Sequence, residues 1–278
     1  MSGTDQGAAE LPPISPLIDA SKKHSEKQPS AKWEYTAQFG ERYRNNLLYE
    51  ERESPDGKKT IFAGRPVIHR DSLINGGVYL IGGLDEAAVV DDKTDGGVLA
   101  YEYEKFASGL ELKDIAKVRN EALGAAWRFT QKEIPYSWQA VHDLNASLKV
   151  KPDKKIALSC YIKDALGAGK GGGVCRHQAL LAGYLLEKLA AQGYLRGKVS
   201  IDRNYIPGKG GHAWVRYDNS VGKIFIIDPA QNYCGSLDDA VKGVGSWDYR
   251  RPEERPGEQK RIRQIGMILE KLKHLVCK

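Results

Sequence analysis

Cys175 stands where a glycine-rich run, Gly167 to Gly173, gives way to the apolar helical pattern that begins Val174-Cys175-Arg176-His177-Gln178-Ala179-Leu180-Leu181. A thiol in the first turn of a helix is acidified by unpaired backbone N–H groups and by the positive end of the helix dipole, and the thiolate is the nucleophilic form. Arg176 adds positive potential beside it. The glycines before it let a substrate backbone approach and leave the Cys175 N–H for an oxyanion. Cys160, Cys234 and Cys277 lack this setting and none pairs at CxxC spacing, so they read as small hydrophobes carrying free thiols.

A thiolate site needs a base from elsewhere in the chain. His212 follows a second glycine loop in Lys209-Gly210-Gly211-His212-Ala213-Trp214-Val215-Arg216-Tyr217, and strand alternation puts Trp214 on its face and Ala213 and Val215 on the other. Asp228 closes the apolar run Ile224-Phe225-Ile226-Ile227. A carboxylate there is costly if buried alone, and paired with a histidine N–H it fixes the tautomer and stabilises the imidazolium. A turn near Asp218 to Gly222 sets Tyr217 opposite Lys223, and therefore His212 opposite Asp228. Gly173 and Arg176 beside the nucleophile, and Gly211 and Trp214 beside the base, are the expected substrate-lining residues. Lys170 and Lys209, in the two Gly-Lys-Gly-Gly loops, would favour acidic substrates.

Gly-Val-Cys-Arg with Ala179 four residues on, then Gly-His-Ala-Trp-Val, then Ile-Asp-Pro, resembles the transglutaminase-like superfamily, a branch of the papain-like cysteine enzymes. The resemblance runs from about Ile115 to Ala230. It implies Cys175 as nucleophile, His212 as general base and Asp228 as its orienting partner, on a Cys-bearing helix packed against an antiparallel sheet. The family includes cross-linking enzymes, deamidases, proteases, amidases and members without activity. A protein or peptide substrate is therefore expected, attacked at an amide bond through a thioester with no metal or cofactor. A binding or scaffold module on the same fold is the alternative. A papain-type oxyanion glutamine would fall at Gly169, so Trp138, Tyr136 and Asn145 are left as possible side-chain donors.

Other chemistries fit less well. His177 lies about 200° around the helix from Cys175 and reads as structural. Cys175, His177 and His212 lack the paired spacing of a zinc site, and Gly167 to Gly173 lacks the GxxxxGK[ST] arrangement of a phosphate loop.

The elements that must position these residues follow from pattern. Residues 1–32 are rich in Ser, Pro, Lys and Gln and are expected to be disordered. Residues 33–110 read as a β-rich region, with strands at Asn46 to Ser54 and Lys58 to Ala63 joined by Pro55-Asp56-Gly57, and further strands at Val78 to Ile81 and Val98 to Tyr103. Residues 111–250 form the expected catalytic core. Ile115, Val118, Ala122, Ala126 and Phe129 make one helical stripe ended by Pro135, and Trp138, Val141, Leu144 and Leu148 make a second. Trp127, Phe129 and Trp138 are expected in the core. Strands then run Lys198 to Ile206, His212 to Tyr217 and Lys223 to Asp228. Residues 251–278 read as a basic amphipathic helix, available to an acidic partner. The fold class is thus α+β. Composition adds exclusions: 41% hydrophobic and 28% charged residues suit a globular chain, and no nucleic-acid module is visible. No apolar run approaches the roughly 18–20 residues of a membrane span, and no basic stretch with an apolar core opens the chain. Cytoplasmic residence is the expectation, with export lacking a cleaved signal left open.

Overall fold

The computed structural model describes residues 32–33, 48–54, 57–80, 86–149, 155–163, 171–206, 208–241 and 247–255. Strand alternation and turn residues build the first part. After β1 (Lys32–Trp33), strands β2 (Tyr49–Ser54) and β3 (Gly57–Phe62) pair antiparallel, Tyr49 opposite Phe62 and Ser54 opposite Gly57, and β4 (Arg65–Pro66) extends them. β5 (Gly77–Leu80) and β6 (Ala87–Val90) are buried along their whole length, as their unbroken apolar runs require.

Val98 to Tyr103, expected as a strand, is instead the start of helix α1 (Val98–Ser108). Asp95 accepts the Leu99 N–H at 2.8 Å, and Gly97 turns into the helix with φ 84°, a conformation glycine takes freely. Leu99, Tyr103 and Phe106 then face inward at intervals of four and three. Tyr101 is 66% exposed where Tyr103 is 2%, and in a strand the two would share a face.

Asp114 and Ser137 cap the next two helices, α2 (Ile115–Glu133) and α3 (Trp138–Ser147), by accepting backbone N–H groups of Lys117 and Ala140. The buried stripe of α2 is Val118, Ala122, Ala126 and Thr130; Ile115 is exposed and Phe129 only half-buried. Trp138, expected in the core, is half-exposed because it opens α3 on the solvent side. β7 (Lys155–Ala157) pairs parallel to β6, and a 3₁₀ turn (Leu158–Tyr161) follows.

Helix α4 (Cys175–Ala191) is buried on nearly every side, from Arg176 to Leu186 without a break. Its leucines each contribute about 2 kcal/mol by leaving water. Gly183 makes its close approach possible, since a Cβ there would meet Ile201 at 2.7 Å and Ile74 at 2.8 Å. β8 (Gly197–Ile206), β9 (Gly210–Asn219), β10 (Ile224–Asp228) and β11 (Tyr233–Ser236) form an antiparallel sheet in the order β1-β8-β9-β10-β11. A short helix α5 (Leu237–Asp239) follows.

Alternation gives this sheet two faces. Val199, Ile201, Ala213, Val215 and Ile227 join the core around α4. Trp214, Ile226 and Tyr233 join a second cluster, closed by Trp247 and Tyr249. The class is mixed α+β. No core boundary falls at residue 110: Ile74, Tyr79, Val90 and Leu99 share one cluster with the α4 leucines, and β7 joins the sheet of β5 and β6. Residue 251 does not open a solvated helix either, because Arg251 is buried and Pro252–Glu254 is a 3₁₀ turn. The expected helix from Arg261 to Val276 lies outside the described residues, as does the tail before Lys32. Among the described residues no helix is long and apolar enough to cross a membrane.

Candidate active site

Cys175 is the first residue of α4, so its N–H has no carbonyl of its own helix to meet. The turn is anchored from behind. His177, fully buried, accepts the Val174 N–H on Nδ1 at 3.0 Å, lies 2.5 Å through Nε2 from Glu86 Oε1, and stacks on Tyr161 at 3.8 Å. Burial and the neighbouring Arg176 charge pull its pKa down to about 4, so the ring is neutral and its Nε2–H donates to Glu86. Arg176 donates to the same carboxylate at 2.7 Å. Burial alone would raise the Glu86 pKa, and the hydrogen bonds from His177 and Arg176 override it and hold it low. With both ring nitrogens occupied, His177 is available neither as a base nor as a metal ligand.

His212 enters from β9 and Asp228 from β10. Tyr217 pairs with Phe225 and Val215 with Ile227, two residues displaced from the expected register. A shift of two keeps every side chain on its face, so His212 and Asp228 still meet, diagonally. His212 Nε2 lies 2.5 Å from Asp228 Oδ2. That leaves Nδ1 for Cys175, whose thiol interacts with the imidazole and helps to raise its pKa. Asp228 is wholly buried and takes two more donors, the Tyr249 hydroxyl on Oδ2 at 2.8 Å and the Gln231 N–H on Oδ1 at 3.1 Å.

The electrostatics favour an ion pair. Burial by itself would lower the His212 pKa, but Asp228 and Cys175 push it up to about 10. Burial would likewise raise the Cys175 thiol, but the His212 hydrogen bond and charge, the Ala213 N–H and Arg176 bring it below the ordinary thiol range. Cys160 is raised by burial, and Cys234, on the exposed side of β11, has among the described residues no partner that acidifies it as His212 does Cys175. Among the described cysteines Cys175 alone is acidified.

The expected substrate-lining set needs correction. Trp214 is wholly buried on the second face of the sheet, within the cluster that Tyr249 closes. Arg176 is buried against Glu86, which takes its Nε and Nη2 donors, and lies beneath the Trp138 ring at 5.6 Å, while its charge reaches the thiolate. Gly173 is buried too: a Cβ would sit 2.7 Å from His177 and from Ile134, and its backbone pairs with Pro135 and Ser137. Gly211 is exposed next to the base. Lys170 and Gly169 lie outside the described residues, and Lys209 sits in an exposed turn.

Of the three possible oxyanion donors, Asn145 accepts from Tyr161 at 3.5 Å and Trp138 covers Arg176. Tyr136 is half-exposed and bridged through its backbone to Gly173, two residues before the nucleophile. Its ionisation is opposed by burial and then by the charge of Cys175, so a protonated phenol stands within electrostatic reach of the thiolate. Glu86, Trp247 and Tyr249 join the site although no motif in the sequence marks them. A buried Arg-His pair demands a carboxylate, which is the one signal that could have led to Glu86. No family model, curated protein or solved structure matches the chain.

Proposed function

We infer that this chain is a cysteine-dependent acyl-transfer enzyme with a papain-like, transglutaminase-like core. The observation that carries the reading is one imidazole, His212, bonded on one side to a buried carboxylate, Asp228, and coupled on the other to the acidified thiol of Cys175 at the start of α4. The Cys175 thiolate attacks an amide carbonyl of a protein or peptide, and its lone pair forms the C–S bond. The charge that develops on oxygen is met by the Cys175 N–H and the Tyr136 hydroxyl. The His212 imidazolium gives its proton to the departing amine, the C–N bond breaks, and a thioester is left. His212, now neutral, accepts a proton from the incoming water or amine as that acceptor bonds to the thioester carbonyl; the C–S bond then breaks, releasing a carboxylic acid or a new amide and regenerating the thiolate. No metal takes part in any of these steps.

Brief iodoacetamide treatment at neutral pH, followed by mass spectrometry, tests the reading without a known substrate. Labelling confined to Cys175, and slowed at least tenfold by His212→Ala, is the expected result. Equal, slow labelling of Cys160, Cys175 and Cys234 would replace the enzyme with a binding module.

A further inference from the structure

The segment 247–255 has no strand of its own, yet it holds the acid–base half of the site. Along β8 the side chains of Ser200, Asp202 and Asn204 fall on one face, all of them buried. Each is taken by the segment. Arg251 reaches Asp202 with two bonds, of 2.8 and 2.7 Å, and Ser200 with one of 3.1 Å. Asn204 accepts the Trp247 indole N–H at 2.5 Å and donates to the Asp248 carbonyl at 2.8 Å. Glu254 pairs with Arg216 of β9, also buried.

Asn204 is the residue paired with His212 across the sheet. Docking Trp247 on Asn204 therefore lays its ring against the imidazole, with centroids 4.8 Å apart. Two residues on, Tyr249 donates to the same Asp228 oxygen that His212 uses. Burial and the Asp228 charge oppose ionisation of that phenol, so it donates at every pH at which the pair works.

We propose that 247–255 is a strap that positions the His212–Asp228 pair, with Tyr249 fixing the plane of the carboxylate and Trp247 keeping water off the imidazole. The proposal rests on the acyl-transfer reading. A carboxylate held by His212 alone could rotate. With Gln231 on Oδ1 and Tyr249 on Oδ2 its orientation is set before His212 arrives. Exclusion of water strengthens the imidazolium–carboxylate bond, and through it the thiolate. Of the other ionisable groups nearby, Arg176 from α4 and Tyr79 from β5 act on Cys175, Tyr136 before α3 acts on Cys175 and Asp228, and Tyr233 of β11 stacks on Tyr249.

The test is the pH profile of Cys175 alkylation by iodoacetamide in the full chain, for the unaltered protein, Tyr249→Phe, Trp247→Phe and His212→Ala, with thermal melting recorded for each. Tyr249→Phe is expected to raise the thiolate midpoint by about one pH unit, labelling roughly tenfold slower on the acid side, and Trp247→Phe to shift it the same way by less. A strap that merely closes the second core would alter melting and leave the midpoint in place. Wild-type midpoints in both strap variants, with His212→Ala raised, would overturn the proposal and spare the reading. A Cys175 midpoint no lower than those of Cys160 and Cys234 in the unaltered protein would end both. Loss of fold in both strap variants would make the segment a folding determinant and overturn its positioning role.

Discussion

At the scale of single residues, the chemistry turns on where one proton rests. His212 binds its proton more tightly in the fold, its pKa raised from 6.5 to about 10, so the stability it contributes is complete below 6.5 and is lost as pH rises through that interval. Cys175 has the opposite sign: its thiol is acidified in the fold, so its contribution is present above the ordinary thiol value of 9 and is lost as pH falls. Tyr136 carries the second residue-scale expectation. Under the proposed acyl-transfer mechanism, Tyr136→Phe removes a donor from the developing oxyanion and should cost about 10²-fold in turnover. The rate of Cys175 alkylation should stay near wild type, since the resting thiolate keeps His212. Steady-state assay on an amide substrate beside alkylation kinetics separates the two, and an unchanged turnover would remove Tyr136 from the oxyanion site.

At the scale of elements, the first turn of α4 is fastened to the residue that precedes β6. Glu86 takes both Arg176 and His177, and all three are buried. Glu86→Gln leaves the Arg176 charge without a counter-charge and should destabilise the fold by about 3–5 kcal/mol, read by denaturant unfolding. The double variant Glu86→Gln with Arg176→Met should recover part of that loss. His177 adds a signed pH effect. Its folded pKa, about 4, lies below the ordinary imidazole value of 6.5, so the unfolded chain binds a proton that the fold refuses, and stability falls as pH drops through that interval. Much of this scale was legible in advance. The stripe of α2, the pattern of α4 and the alternation of β9 and β10 are local, and each was read from a few residues. Asp228 met His212 despite a register two residues out, because parity decides the face. Val98 to Tyr103 misled because a valine and two alternating tyrosines after a glycine pair suit a strand, while the helix start lay in Asp95 and Gly97. Trp138 misled because spacing gives a stripe without saying which way it faces.

At the scale of the molecule, what escaped the sequence is what is distant along it. Tyr249 reaches Asp228 across 21 residues, Arg176 reaches Glu86 across 90, and Arg70 reaches Glu253 across 183. Such pairs leave no periodicity, so neither the strap nor the shared core across residue 110 could be read. The same distances set how the chain folds. Contacts of large sequence separation carry loop-closure entropy before they return stabilisation, and domains rich in them fold in milliseconds to seconds. Stopped-flow tryptophan fluorescence should place refolding in that range, and a phase completed in microseconds would contradict it.

Helix α4, enclosed on almost all sides, gives that delay a further meaning. Its leucines dock partly on strands that come earlier in the chain and partly on strands that come later. During the lag between collapse and closure they face solvent as a sticky surface, and two chains meeting in that interval compete with one chain finishing. Refolding yield should therefore decline as protein concentration rises, the mark of a race between a first-order and a second-order process, and dilution or a chaperone that shields one apolar helix should restore it.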